Sequence, residues 1–262
     1  MINQIYELNA TQISLYEQEG FLRVNKLINP GTLSEYGSVI TDLTLAMNEQ
    51  NKPLAERDTY NKAFLQVMNL WQHSETVKRF VLGTRLAHTA AQLLQVKNVR
   101  IYHDQSLYKE PSGGITPAHA DQYYWPLSSD KTITAWIPLQ DVPLEMGPLS
   151  FYKGSHKLTI GRDLEISDYS EEFITKAMAE KQLVLDTQPY LMGDVSFHSG
   201  WTFHKAGANL TNRPRSVMTI IYMDADIQVA TPKNQMQHND LRRWLPGLVP
   251  GDNAASDLNP LV

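Results

Sequence analysis

Beyond residue 98 the chain is cut into short apolar or alternating runs, each closed by turn-forming residues, and this rhythm limits the folds open to it. The runs cover 99–108, 118–124, 132–139, 149–152, 182–185, 194–198 and 216–223. The breaks fall around Gly113, Asp130, Gly147, Gly193 and Pro214, residues that favour turns and interrupt strands. Many short strands of this kind bury their apolar sides by stacking, which predicts a sandwich or jelly roll. The first hundred residues have a different period. Leu33, Tyr36, Val39, Ile40, Leu43 and Met47 recur at helical spacing, as do the apolar residues of 76–95, and 11–19 ends at Gly20, a helix stop. The expected organisation is one domain over 1–262. It has a mainly helical flank at 1–98, a β core at 99–225 and a C-terminal wrap at 226–262. Residues 161–181 form a charged insertion with some helix.

At 262 residues and 42% hydrophobic content the chain can bury a sizeable core. Its 23 basic and 28 acidic residues leave a net charge of −5, which argues against nucleic acid as a partner because phosphate binding needs a basic surface. The absence of cysteine excludes disulfides, thiolate metal sites and cysteine nucleophiles. No run approaches the ~18 apolar residues of a membrane span, no secretory signal is visible near Met1, and the last residues are not the peroxisomal tripeptide. The expectation is a cytoplasmic protein acting on a small molecule.

Within the β region, His119 and Asp121 stand two residues apart. On an extended strand, positions i and i+2 point to one face, so this imidazole and carboxylate can grip one ion together. His204 is the candidate to close the site from a distant strand. Two histidines and a carboxylate, with other positions open, form the ligand set of non-haem Fe(II) oxygenases. Of the eight histidines, His198 competes with His204 for this place. The bend expected at Ser199 and Gly200 returns His204 to the site and leaves His198 as a structural residue or a partner of a ligand. Arg215 precedes an apolar strand and is suited to a bidentate contact with a dicarboxylate co-substrate, or to a surface acid. Gln105 and Lys109 share a face of a regular strand, with Lys109 a substrate contact or a solvated edge charge. Tyr123 and Trp125 keep the parity of His119 and Asp121 if extension persists, and would line a substrate cavity or pack in the core. Trp201 is a core, lid or substrate-orienting residue.

These residues resemble the phytanoyl-CoA dioxygenase family of Fe(II)/2-oxoglutarate oxygenases. The matching stretches are HDQSLYKEP (103–111), HADQYYWP (119–126), TAWIPLQDVPLEMGPLSFYKGSHK (134–157), GDVSFH (193–198) and the His204 to Arg215 interval. LYEQEGFLRV (15–24) resembles the family's opening, and DLRRWLPGLVPGD (240–252) its bacterial ends. The resemblance implies a double-stranded β-helix, the cupin-like jelly roll, preceded by helices. It also implies iron on His119, Asp121 and His204, with 2-oxoglutarate and O₂ as co-substrates. By the same resemblance Arg215 pairs with the distal carboxylate of 2-oxoglutarate, and Gln105 and Trp136 make further contacts with it.

One departure is Ala206, where some members place a serine that helps hold the co-substrate; Thr134, on the strand face of Trp136, is the candidate to compensate. Asp121 is intact, whereas halogenating relatives carry a small residue there, so hydroxylation of an unactivated C–H is the expected reaction, releasing succinate and CO₂. Desaturation, cyclisation or epimerisation at the same iron, a non-catalytic metal-binding jelly roll, and a zinc hydrolase are the alternatives.

Overall fold

The computed structural model describes residues 2–262. In chain order its elements are helix α1 (Ala10–Glu19), strand β1 (Phe21–Val24), helix α2 (Pro30–Met47), helix α3 (Thr59–Ala63), strand β2 (Leu65–Met68), and helices α4 (Glu75–Val81) and α5 (Thr84–Leu94). Strands β3 (Val99–Lys109), β4 (Thr116–His119), β5 (Thr132–Pro138) and β6 (Leu149–Tyr152) follow. Helix α6 (Asp168–Glu180), strands β7 (Leu185–Thr187), β8 (Val195–Ser199), β9 (His204–Ala206) and β10 (Arg215–Asp224), and helix α7 (Gln235–Trp244) complete the chain. The helix starts were written locally. Asn9 and Gln12 form a reciprocal capping box at α1, and Asn29 caps α2 ahead of a proline in its first turn.

Two antiparallel sheets carry the fold. The larger has the order β1-β8-β5-β10-β3-β2 and the smaller β4-β9-β6-β7. Side chains alternate across the large sheet. Ile133, Ala135 and Ile137 of β5, with Met218, Ile220 and Tyr222 of β10, join one buried cluster with residues of α2, α4 and α5. Thr134, Trp136 and Thr219, one residue out of phase, face a cavity shared with the small sheet. Burial on both faces explains why β5 and β10 read as nearly continuous apolar runs.

The structure revises the boundaries in physically instructive ways. The helical flank expected over 1–98 also contributes β1 and β2, the two edges of the large sheet. Four residues each, they are too short to show a period of their own. The helical run at 76–95 is two helices parted at Leu82 and Gly83. The strand expected over 118–124 stops at His119, because Asp121–Tyr124 tightens into a 3₁₀ turn pinned by the Gln122 amide donating to the Gly200 carbonyl (2.9 Å). The strand expected at 182–185 forms later, at β7. The C-terminal segment runs back along β3, with Ile101 and Val262 amides donating to Pro260 and Val99 carbonyls. Among the described residues, no helix is long and apolar enough to cross a membrane.

The turn that launches β8 depends on Gly193, whose φ of +104° lies where side chains are strained and whose added Cβ would strike the Ile28 carbonyl oxygen. Asp194 fixes the same turn by accepting from the Lys26 and Leu191 amides, both at 2.9 Å. Gly193→Ala is expected to lower the unfolding free energy by about 1–3 kcal/mol, read as a lower urea midpoint, while metal binding by the folded fraction stays intact because the residue lies outside the cavity.

Candidate metal and co-substrate site

The two sheets meet at His119 and His204, which are direct cross-strand partners on β4 and β9. Their rings lie 4.2 Å apart, centroid to centroid. Ala120 remains extended (φ −125°, ψ 130°), so Asp121 still turns to the side of His119 although the strand has ended. Asp121 Oδ1 sits 3.6 Å from Nε2 of His119 and 3.6 Å from Nε2 of His204. One ligand atom from each of the three residues falls within 4.8 Å of the others.

Hydrogen bonds set the chemistry of this cluster. His119 Nδ1 lies 2.7 Å from the Pro117 carbonyl oxygen and His204 Nδ1 2.9 Å from that of Thr202. A carbonyl only accepts, so each Nδ1 carries a proton, and in the neutral ring it is Nε2 whose lone pair faces Asp121. Burial, with His119 adding to it, holds the His204 pKa well below the ordinary histidine range, so its ring is neutral. Burial works against the charge of Asp121, but its hydrogen-bonding neighbours, His198 among them, outweigh it and keep its carboxyl well below the usual carboxylate range. Two imidazole lone pairs and a carboxylate oxygen therefore converge with no proton of their own to share. Only a cation satisfies all three, and a His₂-carboxylate set with open positions suits Fe(II).

The other carboxylate oxygen is occupied. Asp121 Oδ2 accepts from Thr134 Oγ1 at 2.9 Å and lies 3.2 Å from Nε2 of His198. His198 is 1% exposed and lies in β8, whereas the chain bends after Ser199 and crosses to the small sheet, where His204 opens β9. The hydroxyl of Thr134 is thus committed to Asp121, although the residue also lines the cavity.

Arg215 begins β10 and is 1% exposed. It donates to the Gly147 carbonyl, its Cζ lies 5.6 Å from the Trp136 ring centre, its Nε has no partner, and no carboxylate approaches it within 4.0 Å among the described residues. Burial pushes its pKa down to about 10, which leaves it charged at neutral pH. A buried, unpaired guanidinium calls for an anion, and a carboxylate matches its fork. Gln105, Trp136 and Ala206 line the same cavity, which has a volume of about 530 Å³.

Trp125 also lines the cavity, with Tyr124 beside it. Tyr123 does not, because the 3₁₀ turn breaks the strand parity; its carbonyl instead accepts from Gln237 and Asn234. Lys109 is neither a substrate contact nor a solvated edge charge. It is fully buried opposite Arg215 in the β3–β10 register and donates to the Gly114 carbonyl. Burial, then Arg215, pushes its pKa down to about 6. Trp201 lies outside the cavity wall, under the guanidinium of Arg162 at 4.4 Å.

The sequence reading missed His103, Tyr60 and Gln66 as wall residues, along with Met236 and Asp240 of α7. His103 was accessible to the argument that selected Gln105, since both occupy one parity of β3. The others come from segments whose position no local pattern reveals.

A family described as phytanoyl-CoA dioxygenase (PhyH) matches residues 16–217. Ectoine dioxygenase of Streptomyces coelicolor is 24% identical over 247 residues, covering 86% of this chain and 81% of that protein. Two solved structures from nogalamycin biosynthesis are similar over almost their whole lengths. The epimerase SnoN, in complex with Fe3+, alpha ketoglutarate and nogalamycin RO, is 27% identical with a TM-score of 0.79, covering 96% of this chain and 97% of its own. The non-haem alpha ketoglutarate dependent carbocyclase SnoK is 26% identical with a TM-score of 0.79, covering 98% and 97%. With that family match spanning well over half of its length, the chain belongs to the phytanoyl-CoA dioxygenase (PhyH) family of Fe(II)- and 2-oxoglutarate-dependent oxygenases.

Proposed function

We propose that this protein hydroxylates an unactivated C–H bond of a small-molecule metabolite, with 2-oxoglutarate leaving as succinate and CO₂. The convergence of His119 Nε2, His204 Nε2 and Asp121 Oδ1 carries the reading. These three residues would hold the iron. Arg215 would take the distal carboxylate of 2-oxoglutarate, with Trp136 and Gln105 along its length. When bound, iron and 2-oxoglutarate together activate O₂ for attack on carbon.

The protein's own contribution is positioning and exclusion of water. The carbonyls of Pro117 and Thr202 orient the two imidazoles. Thr134 and His198 hold Asp121 Oδ2, which leaves Oδ1 as the single inward donor. Phe151, fully buried, sets its ring 5.3 Å from that of His198 and 6.4 Å from that of His204, keeping the donor set dry on that side. Fixed orientation of this kind is what lets one substrate hydrogen be selected over its neighbours.

The likeness to SnoN and SnoK favours a second reading, epimerisation or ring closure at the same site. Both readings begin with loss of a hydrogen atom from a substrate carbon. They separate by product mass, since hydroxylation adds an oxygen atom and epimerisation adds none. Succinate released without oxygen gain in the product would replace hydroxylation with the second reading.

The founding test is anaerobic titration of the metal-free protein with Fe(II) and 2-oxoglutarate. Wild type should develop the visible charge-transfer band of the chelate, and His119→Ala and Asp121→Ala should not; a band of equal intensity in either variant sinks the assignment. Arg215→Ala should raise the KM for 2-oxoglutarate by about 10- to 100-fold, the range expected when a charged hydrogen-bond partner is lost, while Fe(II) binding alone is nearly unchanged. His198→Phe should weaken Fe(II) binding by about 10- to 100-fold without altering the dependence on 2-oxoglutarate, as measured by competition with a fluorescent chelator.

A further inference from the structure

The cavity is electrostatically divided. Among the described residues, Arg215 is the only lysine or arginine in its wall, and it sits at the end assigned to the co-substrate. Besides Asp121, three carboxylates line it, those of Asp58, Glu165 and Asp240. Asp58 caps α3 and Glu165 precedes α6, both exposed, so they mark the rim. Asp240 lies deeper, on α7, where the Tyr102 hydroxyl donates to its Oδ2 at 3.0 Å. Among the described residues, none of the three carboxylates has a basic side chain within 4.0 Å. Arg243, three residues further along α7, lies over the Trp244 ring at 4.4 Å and acts on Asp240 only from beyond ion-pair distance.

His103 is the second observation, and it is independent of the acids. It is 3% exposed, lines the cavity, and has no hydrogen-bond partner for Nδ1. Its ring packs between those of Tyr102 (5.1 Å) and Trp244 (5.0 Å), the residues that also flank Asp240. Burial pushes the His103 pKa down to about 3, so its ring is neutral and does not offset the carboxylate. A neutral imidazole is an N–H acceptor through one nitrogen. Trp125, whose ring lies 5.6 Å from that of Tyr102, adds an aromatic face in the same wall, and such faces attract cations.

We propose that the prime substrate carries a protonated amine, received by Asp240 and His103, while the carbon to be attacked lies toward His119, Asp121 and His204. The proposal rests on the iron and 2-oxoglutarate reading for the position of the reacting end. It follows that an acyl-coenzyme A thioester, with its phosphates, is a poor fit: it would bring like charge against three unpaired carboxylates. A substrate ammonium instead supplies the contact ion pair that Asp240 lacks: burial pushes its carboxyl up to about 7, even with the Tyr102 hydroxyl and the Arg243 charge acting the other way.

Matched sets of small molecules test this: tyramine, N-acetyltyramine and 4-hydroxyphenylacetate, then glucosamine, N-acetylglucosamine and glucuronate, followed by a library of metabolites in the same three forms. Binding is read by calorimetry on both the metal-free protein and the anaerobic Fe(II)·2-oxoglutarate complex. The expected result is that binders fall among the amines and lose at least about 10-fold in affinity on N-acetylation. Asp240→Asn, shown folded by its melting curve, should erase that preference and leave the chelate band intact, and Glu165→Gln at the rim should reduce it by a smaller factor. Equal binding of acetylated or acidic members, or no amine bound at all, overturns the proposal. Failure of the chelate band overturns the iron reading instead, and the amine comparison on the metal-free protein still decides whether the cavity selects positive charge.

Discussion

Three acceptor atoms facing one another with no proton between them are the constraint on which the site depends. His119 Nε2 and His204 Nε2 are made acceptors by backbone carbonyls two residues upstream, and Asp121 Oδ1 is left free because Thr134 and His198 occupy Oδ2. Without a cation the arrangement concentrates lone pairs in a buried space, which is costly. The cost is accepted by a scaffold that does not let the groups move apart. His119 and His204 are register partners across one sheet, and His198 and Thr134 are register partners across the other. The candidate metal site is therefore a seam between sheets, with two side chains from each sheet in place and Asp121 at the turn that joins them.

That seam explains which parts of the site were legible in the sequence. His119 and Asp121 were visible because the geometry that matters is local: an extended Ala120 between them is enough, even though the strand expected to continue through Tyr124 does not. His204 was separable from His198 because Ser199 and Gly200 announce the bend that sends the chain to the other sheet. Arg215 was legible from its interval to His204, read through the resemblance. Lys109 was not, because its burial depends on Arg215 and Gly114, which reach it through the sheet and through a turn. Tyr123 was lost for a narrower reason. Strand parity ends where the Gln122 amide turns to the Gly200 carbonyl, a contact between residues nearly eighty positions apart.

The fold was legible in the same graded way. The helical period gave α2, and long apolar or alternating runs gave the central strands β3, β5 and β10, to within a residue or two, because burial acts on many positions at once. The edge strands β1 and β2, and the three residues of β9, carry too few positions for a period to show. Their place is dictated by neighbours: Phe21 to Val24 pair with β8, and Leu65 to Met68 with β3. This is tertiary context overriding weak local preference.

The division of charge in the cavity has a counterpart along the chain. The donor set, Arg215, Gln105 and Trp136 all fall within the segment matched by the family, residues 16–217. Asp240 and Met236 lie beyond it, on a helix whose Trp244 packs against His103. His119, His204, Arg215, Gln105 and Trp136 stand on strands, where register holds distances tightly. The far wall of the cavity is completed by α7, which follows the last strand. A helix packed on one flank of the cavity can change its inward residues without disturbing β-sheet register, since its hydrogen bonds are its own. Selectivity carried there can diverge while the metal seam stays fixed, which is why the family name states the reaction class of this chain and the carboxylates and aromatics at the far wall are the better guide to its substrate.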